Sequence, residues 1–396
     1  MAALLVAVAA LVLVLRAGRG APAPAPAPPP ALPAGTSHVD GISDQNVPYW
    51  NLDVWSGGPP ASPFARFVAA SLVAGTPDPL RYARYVVAYD VMCDPGGPAF
   101  ATFERWLEDV QELGLQPDVA FWYGDFDGNR CPSLPLIPHS AEQYNAPVAA
   151  FMARFTQVSI VEPWNEPNDG HGPDVAPALA AAFYLAVVGA DCASRACTVI
   201  AGDFNDAPRN LVAYERGYVA ALASVTALDW GLHPYAAVNH ERPATVRAFE
   251  AGLPDPAADR VWYTEVGAFY CTPRQNPAHG YGDRRLQALQ ERRAHFLVTA
   301  LMGRPFAPVH VFYYEFMYKQ DRRGPCATDD SALYAPTPRG APLEYAPRAA
   351  VADVFPDAAP TVALPAPRPG ASVFYARVDL RPWRDGWRPA YLPPGA

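Results

Sequence analysis

Lysine is almost missing from this sequence: Lys319 is the only one in 396 residues. A lysine Schiff base or a phosphate-loop lysine therefore has almost no candidate, and no G-x-x-x-x-G-K-[ST] motif occurs. Basic charge is scarce altogether, with 30 Lys+Arg against 39 Asp+Glu and no basic run longer than pairs such as Arg322-Arg323. A net charge of -9 argues against a phosphate-tracking surface, so nucleic acid is not an expected partner. The zinc-type spacings C-x-x-C and H-E-x-x-H are absent, and neither a metal nor a cofactor is expected. Asp125 to Asn129 has the acids of a calcium loop without its full spacing or its downstream glutamate. No G-x-G-x-x-G follows the first strand candidate, which places an open doubly wound sheet second among the folds considered. The longest apolar run, Ala2 to Leu15, has fourteen residues. As a helix it would rise about 21 Å, short of a ~30 Å hydrocarbon core.

That run, followed by Arg16-Ala17-Gly18-Arg19-Gly20, reads as a signal peptide or membrane anchor over 1–20. Residues 21–37 are a proline- and alanine-rich linker, with seven prolines between Ala21 and Gly35 that favour extended polyproline II. The expectation is a secreted protein, or one tethered to the cell wall or membrane through its N-terminus. Residues 357–396 form a proline-rich C-terminal extension.

Between them, 38–356 reads as one globular domain. With 51% hydrophobic and 12% aromatic residues the chain can bury a full core. Short apolar runs alternate with amphipathic stretches, the pattern of parallel strands covered by helices. Strand candidates are 39–43, 82–89, 118–123, 158–163, 198–202, 230–233, 261–264 and 309–314. Phe103, Trp106, Leu107, Val110 and Leu113 recur at helical spacing and stop at Gly114. Ser140 with Gln143 predicts a helix start, and Asp283 another. Eight strands with intervening helices predict a (β/α)8 TIM barrel, whose site sits at the C-terminal strand ends.

Two strand ends stand out. Ile160-Val161-Glu162-Pro163-Trp164-Asn165-Glu166-Pro167-Asn168 passes from an apolar strand into rigid polar residues, and Val261-Trp262-Tyr263-Thr264-Glu265 ends in a second carboxylate. Carboxylates at such ends point into the barrel mouth, where burial raises a pKa enough for proton donation. The fourth and seventh strands would set Glu166 and Glu265 across the mouth. A retaining glycosidase needs such a pair at ~5 to 5.5 Å.

With His233-Pro234-Tyr235 after the sixth strand, these motifs resemble those of the clan A glycoside hydrolases, retaining (β/α)8-barrel enzymes. A particular resemblance is to cellulase-like actinobacterial secreted barrels, which also begin with Gly41-Ile42-Ser43-Asp44-Gln45-Asn46. It covers about residues 38–356 and implies Glu166 as acid/base, Glu265 as nucleophile and Asn165 as donor to a sugar hydroxyl. Tyr235 would hydrogen-bond the nucleophile and His233 would line the cleft. Arg84 is matched to the clan's arginine near the second strand. At the eighth strand end, where many clan members carry tryptophan, this chain has Tyr314-Glu315-Phe316. Tyr314 or Phe316 would then stack on a sugar, and Glu315 adds a third carboxylate. Trp122 with Tyr123 and Asp125, Asp90 and Asp44 also follow barrel strands and are further substrate-binding candidates.

Six cysteines suit an oxidising compartment. Cys192 and Cys197 are close enough in sequence to bridge. On the barrel reading, Cys93 with Cys131 and Cys271 with Cys326 follow neighbouring strands, which predicts two further disulfides. The resulting expectation is a secreted β-glycosidase with a carbohydrate substrate; the alternatives are a non-catalytic glycan-binding barrel and a cell-wall interaction domain.

Overall fold

The structure is a computed structural model. It describes residues 36, 38–43, 80–124, 131–169, 175–192, 196–223, 225–273, 283–303, 306–315, 326, 329–336, 344–355 and 362–363. The 1–20 and 21–37 segments therefore fall outside the described residues, apart from Thr36. No described helix is long and apolar enough to cross a membrane.

Nine parallel strand segments build the main sheet: β1 Gly41–Ser43, β2 Tyr82–Ala88, β3 Gln116–Trp122, β4 Ile160–Glu162, β5 Thr198–Val199, β6 Ala201–Asn205, β7 Asp229–His233, β8 Arg260–Val266 and β9 His310–Tyr313. Their order is β5-β4-β3-β2-β1-β9-β8-β7-β6. The two ends of that order, β5 and β6, are separated in the chain by Ile200 alone, whose N–H donates to Val161 O at 2.9 Å. They are one chain stretch that pairs with β4 through its first half and β7 through its second, so the sheet closes on itself with eight positions. This is the expected (β/α)8 barrel, and every strand candidate lies in it.

The helices begin and end where their sequence signals stand. In Pro98–Glu112, Phe103, Trp106, Leu107 and Val110 are buried against the sheet, and Gly114 takes φ 71°, the left-handed conformation that a helix end requires and glycine adopts without strain. Ser140 accepts from Gln143 N at 3.3 Å to start Ala141–Arg154, and the Gln143 side chain reaches back to His139 N. Asp283 accepts from Arg285 N and Leu286 N at the head of Arg284–Phe296.

All three expected disulfides are present, Cys93–Cys131, Cys192–Cys197 and Cys271–Cys326, with Cα separations of 5.5, 5.4 and 5.4 Å. They fit an oxidising environment. Beside the last of them, the buried Arg348 forks onto Asp330 with two contacts of 2.7 Å and lies 4.1 Å over the Tyr270 ring. A small antiparallel sheet of Tyr334–Pro336, Glu344–Pro347 and Val362–Ala363 has no counterpart among the strand candidates, and its last strand lies beyond residue 356.

One buried carboxyl group sits far from the barrel mouth's pairs. Glu215, on the helix Leu211–Leu222, is 1% exposed and packs so tightly on Gly252 that a Cβ there would come within 2.6 Å of it. Burial pushes its pKa up to about 8, against a small lowering by Arg216. Because the folded value lies above the unfolded one, the stabilisation is complete at pH below the unfolded carboxyl pKa and is lost as pH rises toward 8. Glu215→Gln should therefore raise the thermal midpoint at pH 8 and leave it unchanged at pH 4. An equal gain at both pH values would contradict this.

Candidate active site

The barrel interior is charged where a layer of branched apolar side chains is usual. Arg84, the third residue of β2, is fully buried. Its Nε and Nη2 donate to the two Glu162 oxygens at 2.8 and 2.7 Å, and Nη2 also reaches Asn165 Oδ1 at 2.8 Å and Asp203 Oδ2 at 2.9 Å. Nη1 donates to Glu265 Oε2 at 2.6 Å and to Ser43 Oγ at 3.3 Å. One guanidinium thus ties together residues from β1, β4, β6, β8 and the loop after β4. Asp118 of β3 lies in the same buried layer, where burial pushes its pKa up to about 6.

Glu265 is held on both oxygens. Tyr235, at the start of the helix Tyr235–His240, donates its hydroxyl to Oε1 at 2.7 Å, while Arg84 and Ser43 approach Oε2. Burial, then the Glu265 charge, push the Tyr235 pKa well up, so the phenol stays a donor. Tyr235 in turn stacks on Phe269 at 5.4 Å and meets Tyr314 edge-on at 6.5 Å.

Glu166 lies just past β4 with φ 46°, a left-handed conformation that is strained for a residue with a side chain and that clusters at functional sites. Its N–H donates to Asp203 O at 3.1 Å. Oε1 lies 2.8 Å from His233 Nδ1 and accepts from Asn205 Nδ2 at 2.9 Å. Asn205 also donates to Asp169 at 2.7 Å, and Asn168 braces the loop through both the N–H and the carbonyl of Asn205. Burial raises the Glu166 pKa, and the His233 contact opposes that rise. On its other side His233 Nε2 lies 2.7 Å from Asp203 Oδ1. Burial alone would depress the imidazole pKa; the Asp203 charge 2.7 Å away, the hydrogen bond to Glu166 and the Glu265 charge outweigh it and push it up to about 10.

One carboxylate oxygen of Glu166 and one of Glu265 lie within 4.8 Å of each other, with His233 in the same cluster. Both side chains keep a little exposure, 11% and 12%, whereas Arg84, Asp203 and His233 have 1% or less. The two glutamates are thus the groups that a molecule in the mouth would meet. Glu162, Asp203 and His233 also converge as metal ligands would, but the Arg84 guanidinium already lies 2.7 Å from Glu162 and 2.9 Å from Asp203 and supplies the positive charge there.

Of the residues singled out in the sequence, Arg84, Asn165, Glu166, His233, Tyr235 and Glu265 form one connected cluster, with Tyr314 at its edge. Trp122 ends β3 and meets Tyr123 at 4.7 Å, and Asp90 follows β2 beside Gly124; they stand at other strand ends. Glu315 is buried, with its carbonyl accepting from Leu333 N at 3.2 Å. Asp44, Asp125 and Phe316 lie outside the described residues. Sequence reading passed over Ser43, Glu162, Asp203, Asn205 and Thr264. The available signal was an acid inside an apolar strand, as in Ile160-Val161-Glu162 and Gly202-Asp203-Phe204.

Solved structures similar to this fold include glycoside hydrolases. A family 39 glycoside hydrolase from the gut symbiont Bacteroides cellulosilyticus WH2 has 17% identity over 77% of this chain and 62% of its own, with a TM-score of 0.46. The chain thus spans less than two thirds of that enzyme. Xylanase B from Clostridium stercorarium F9 has 14% identity over 81% of this chain and 97% of its own, TM-score 0.50. A GH10 endoxylanase from a sugarcane soil metagenome has 11% identity over 81% and 96%, TM-score 0.51. No protein-family model and no curated protein matches the chain. At these identities the likeness shows the fold alone: the chain has a parallel (β/α)8 barrel like that of the two xylanases.

Removing the Arg84 charge leaves Glu162 and Asp203 buried without their guanidinium partner, a change that typically costs about 3–5 kcal/mol. Arg84→Met should lower the urea midpoint accordingly at pH 7. A midpoint equal to that of the wild type would show that the network is not a structural hub.

Proposed function

We propose that the protein is a secreted retaining glycoside hydrolase that cleaves β-glycosidic bonds of an oligo- or polysaccharide, with Glu265 as nucleophile and Glu166 as acid/base. The observation that carries the reading is the approach of the two partly exposed carboxylates within 4.8 Å, which suits the ~5 to 5.5 Å separation used for double displacement. The xylanases among the fold relatives agree with a β-linked glycan, and the three disulfides agree with secretion.

The two glutamates have environments suited to opposite tasks. Glu265 accepts from Arg84 and Ser43 at Oε2 and from Tyr235 at Oε1, which hold it in place as the nucleophile. Glu166 is raised by burial toward the protonated form that a general acid needs. In the first step a Glu265 oxygen bonds the anomeric carbon as the glycosidic C–O bond breaks, and Glu166 delivers its proton to the leaving oxygen. In the second, Glu166 takes a proton from water, whose oxygen bonds the anomeric carbon and releases Glu265. Asn165 is fixed through its Oδ1 by Arg84, which sets its Nδ2 as the end that meets a sugar hydroxyl.

On a panel of 4-nitrophenyl β-glycosides and β-glucans, Glu265→Gln should lose at least about 10³-fold in kcat while keeping the wild-type melting profile. Proton NMR of the first-formed product should show retained β-configuration. A folded Glu265→Gln variant with undiminished turnover, or an inverted product, would overturn the assignment. Glycan affinity without turnover by the wild type would favour a non-catalytic barrel.

A further inference from the structure

We infer that Asp203 is a positioning residue that keeps His233 doubly protonated, so that Glu166 acts beside a fixed imidazolium instead of a neutral ring. The role given to Glu166 rests on the glycosidase reading above; the charge state of His233 does not.

The geometry sets the protonation. Both ring nitrogens of the buried His233 face carboxylate oxygens, Nδ1 at 2.8 Å from Glu166 Oε1 and Nε2 at 2.7 Å from Asp203 Oδ1. A neutral imidazole has one N–H and would set a lone pair against one of those oxygens; the imidazolium donates from Nδ1 to Glu166 and places its charge in close ion-pair contact with Asp203. The groups that face the ring are Glu166 from the loop after β4, Asp203 from β6, Tyr235 after β7 and the Glu265 charge from β8, with Asp206 beyond β6 also in its field. Arg84, which shares Asp203 with the ring, is engaged with Glu162, Asp203 and Glu265. Carboxylates therefore dominate around the ring and offset its burial.

Asp203 is built to stay in place. Arg84 Nη2 holds its Oδ2 at 2.9 Å and the Thr264 hydroxyl donates to Oδ1 at 2.5 Å. Its backbone sits at φ 57° after Gly202 at φ 88°, and it presses on β7 where Gly231 has no side chain: a Cβ there would lie 2.9 Å from Asp203 Cα. The same carboxylate thus joins the Arg84–Glu265 side of the mouth to the His233–Glu166 side. In the first step the Glu166 proton passes to the leaving oxygen, which also takes the electron pair of the broken bond. The carboxylate left behind already accepts from His233 Nδ1–H and Asn205 at Oε1. His233 keeps its own proton throughout. Its charge favours the ionised form of Glu166, against the burial that would make it too weak an acid.

Imidazole nitrogen-15 shifts of the full chain, assigned by comparison with His233→Gln, test this without any substrate. In the wild type both His233 nitrogens should stay protonated from about pH 5 to about pH 9, and in Asp203→Asn the ring should lose a proton below about pH 7. A wild-type ring that is neutral at pH 7, or an Asp203→Asn titration like that of the wild type, would overturn the inference. If Asp203→Asn fails to fold, the wild-type titration decides alone. A kinetic arm uses 4-nitrophenyl β-glycosides: losing the adjacent positive charge in His233→Gln should move the basic limb of kcat/KM upward by about one to three pH units. A limb that stays in place or moves down counts against the inference. Absence of wild-type turnover counts against the glycosidase reading instead, and the nitrogen-15 titration then still decides the charge of His233.

Discussion

The buried guanidinium of Arg84 is the interaction on which the rest depends. A barrel interior is ordinarily filled by apolar layers, but here carboxylates from β4, β6 and β8 point inward and would repel one another in a medium that screens little. Arg84 resolves this with a planar fork: one edge lies bidentate on Glu162, while the remaining donors reach Asp203, Asn165, Glu265 and Ser43. A lysine has three donors on a point charge and cannot address that many acceptors in fixed directions. The near absence of lysine from the chain is therefore in keeping with its core, where a charge that neutralises on burial would be of no use.

Closure of the barrel converts this network into a site. Only when β5 and β6 run as one stretch past Ile200 do β4 and β7 share a strand between them, and only then do Asp203, Glu166 and His233 meet. The left-handed backbone at Glu166 and Asp203 lies at this junction and is held by surrounding hydrogen bonds, not by local preference. Cys93–Cys131 and Cys271–Cys326 clamp loops at the same strand ends, so the mouth is pinned from outside as well as from beneath.

Much of this was legible in the sequence. The strands are buried on both faces and read as apolar runs; helix ends carry Ser140, Asp283 and Gly114 where the structure uses them. The spacing of the strand ends brought out Glu166 and Glu265, and neighbouring loops predicted the disulfides. What stayed hidden depends on contacts across the closed sheet. Asp203 and Glu162 look like single acids in apolar strands, and their meaning appears only when Arg84, over a hundred positions from Asp203, lies between them. The 198–202 strand candidate stops short of Asn205: the strand is irregular at Gly202 and Asp203, both at positive φ, and resumes its pairing to β7 only at Phe204 and Asn205. The small sheet built on Tyr334–Pro336 was unreadable for a different reason: its strands have only 3, 4 and 2 residues, too few to show an alternating pattern, and two of them end in proline.

The central claim is that Glu265 bonds the sugar while Glu166, beside an imidazolium, gives and then takes back the proton. Its most direct test is peptide mass spectrometry after incubation with a set of 2-deoxy-2-fluoro-β-glycosyl fluorides, which slow release of a covalent intermediate. The account predicts a single glycosyl adduct on the peptide that contains Glu265. An adduct on another residue, or fluoride release with inversion and no adduct, would contradict it.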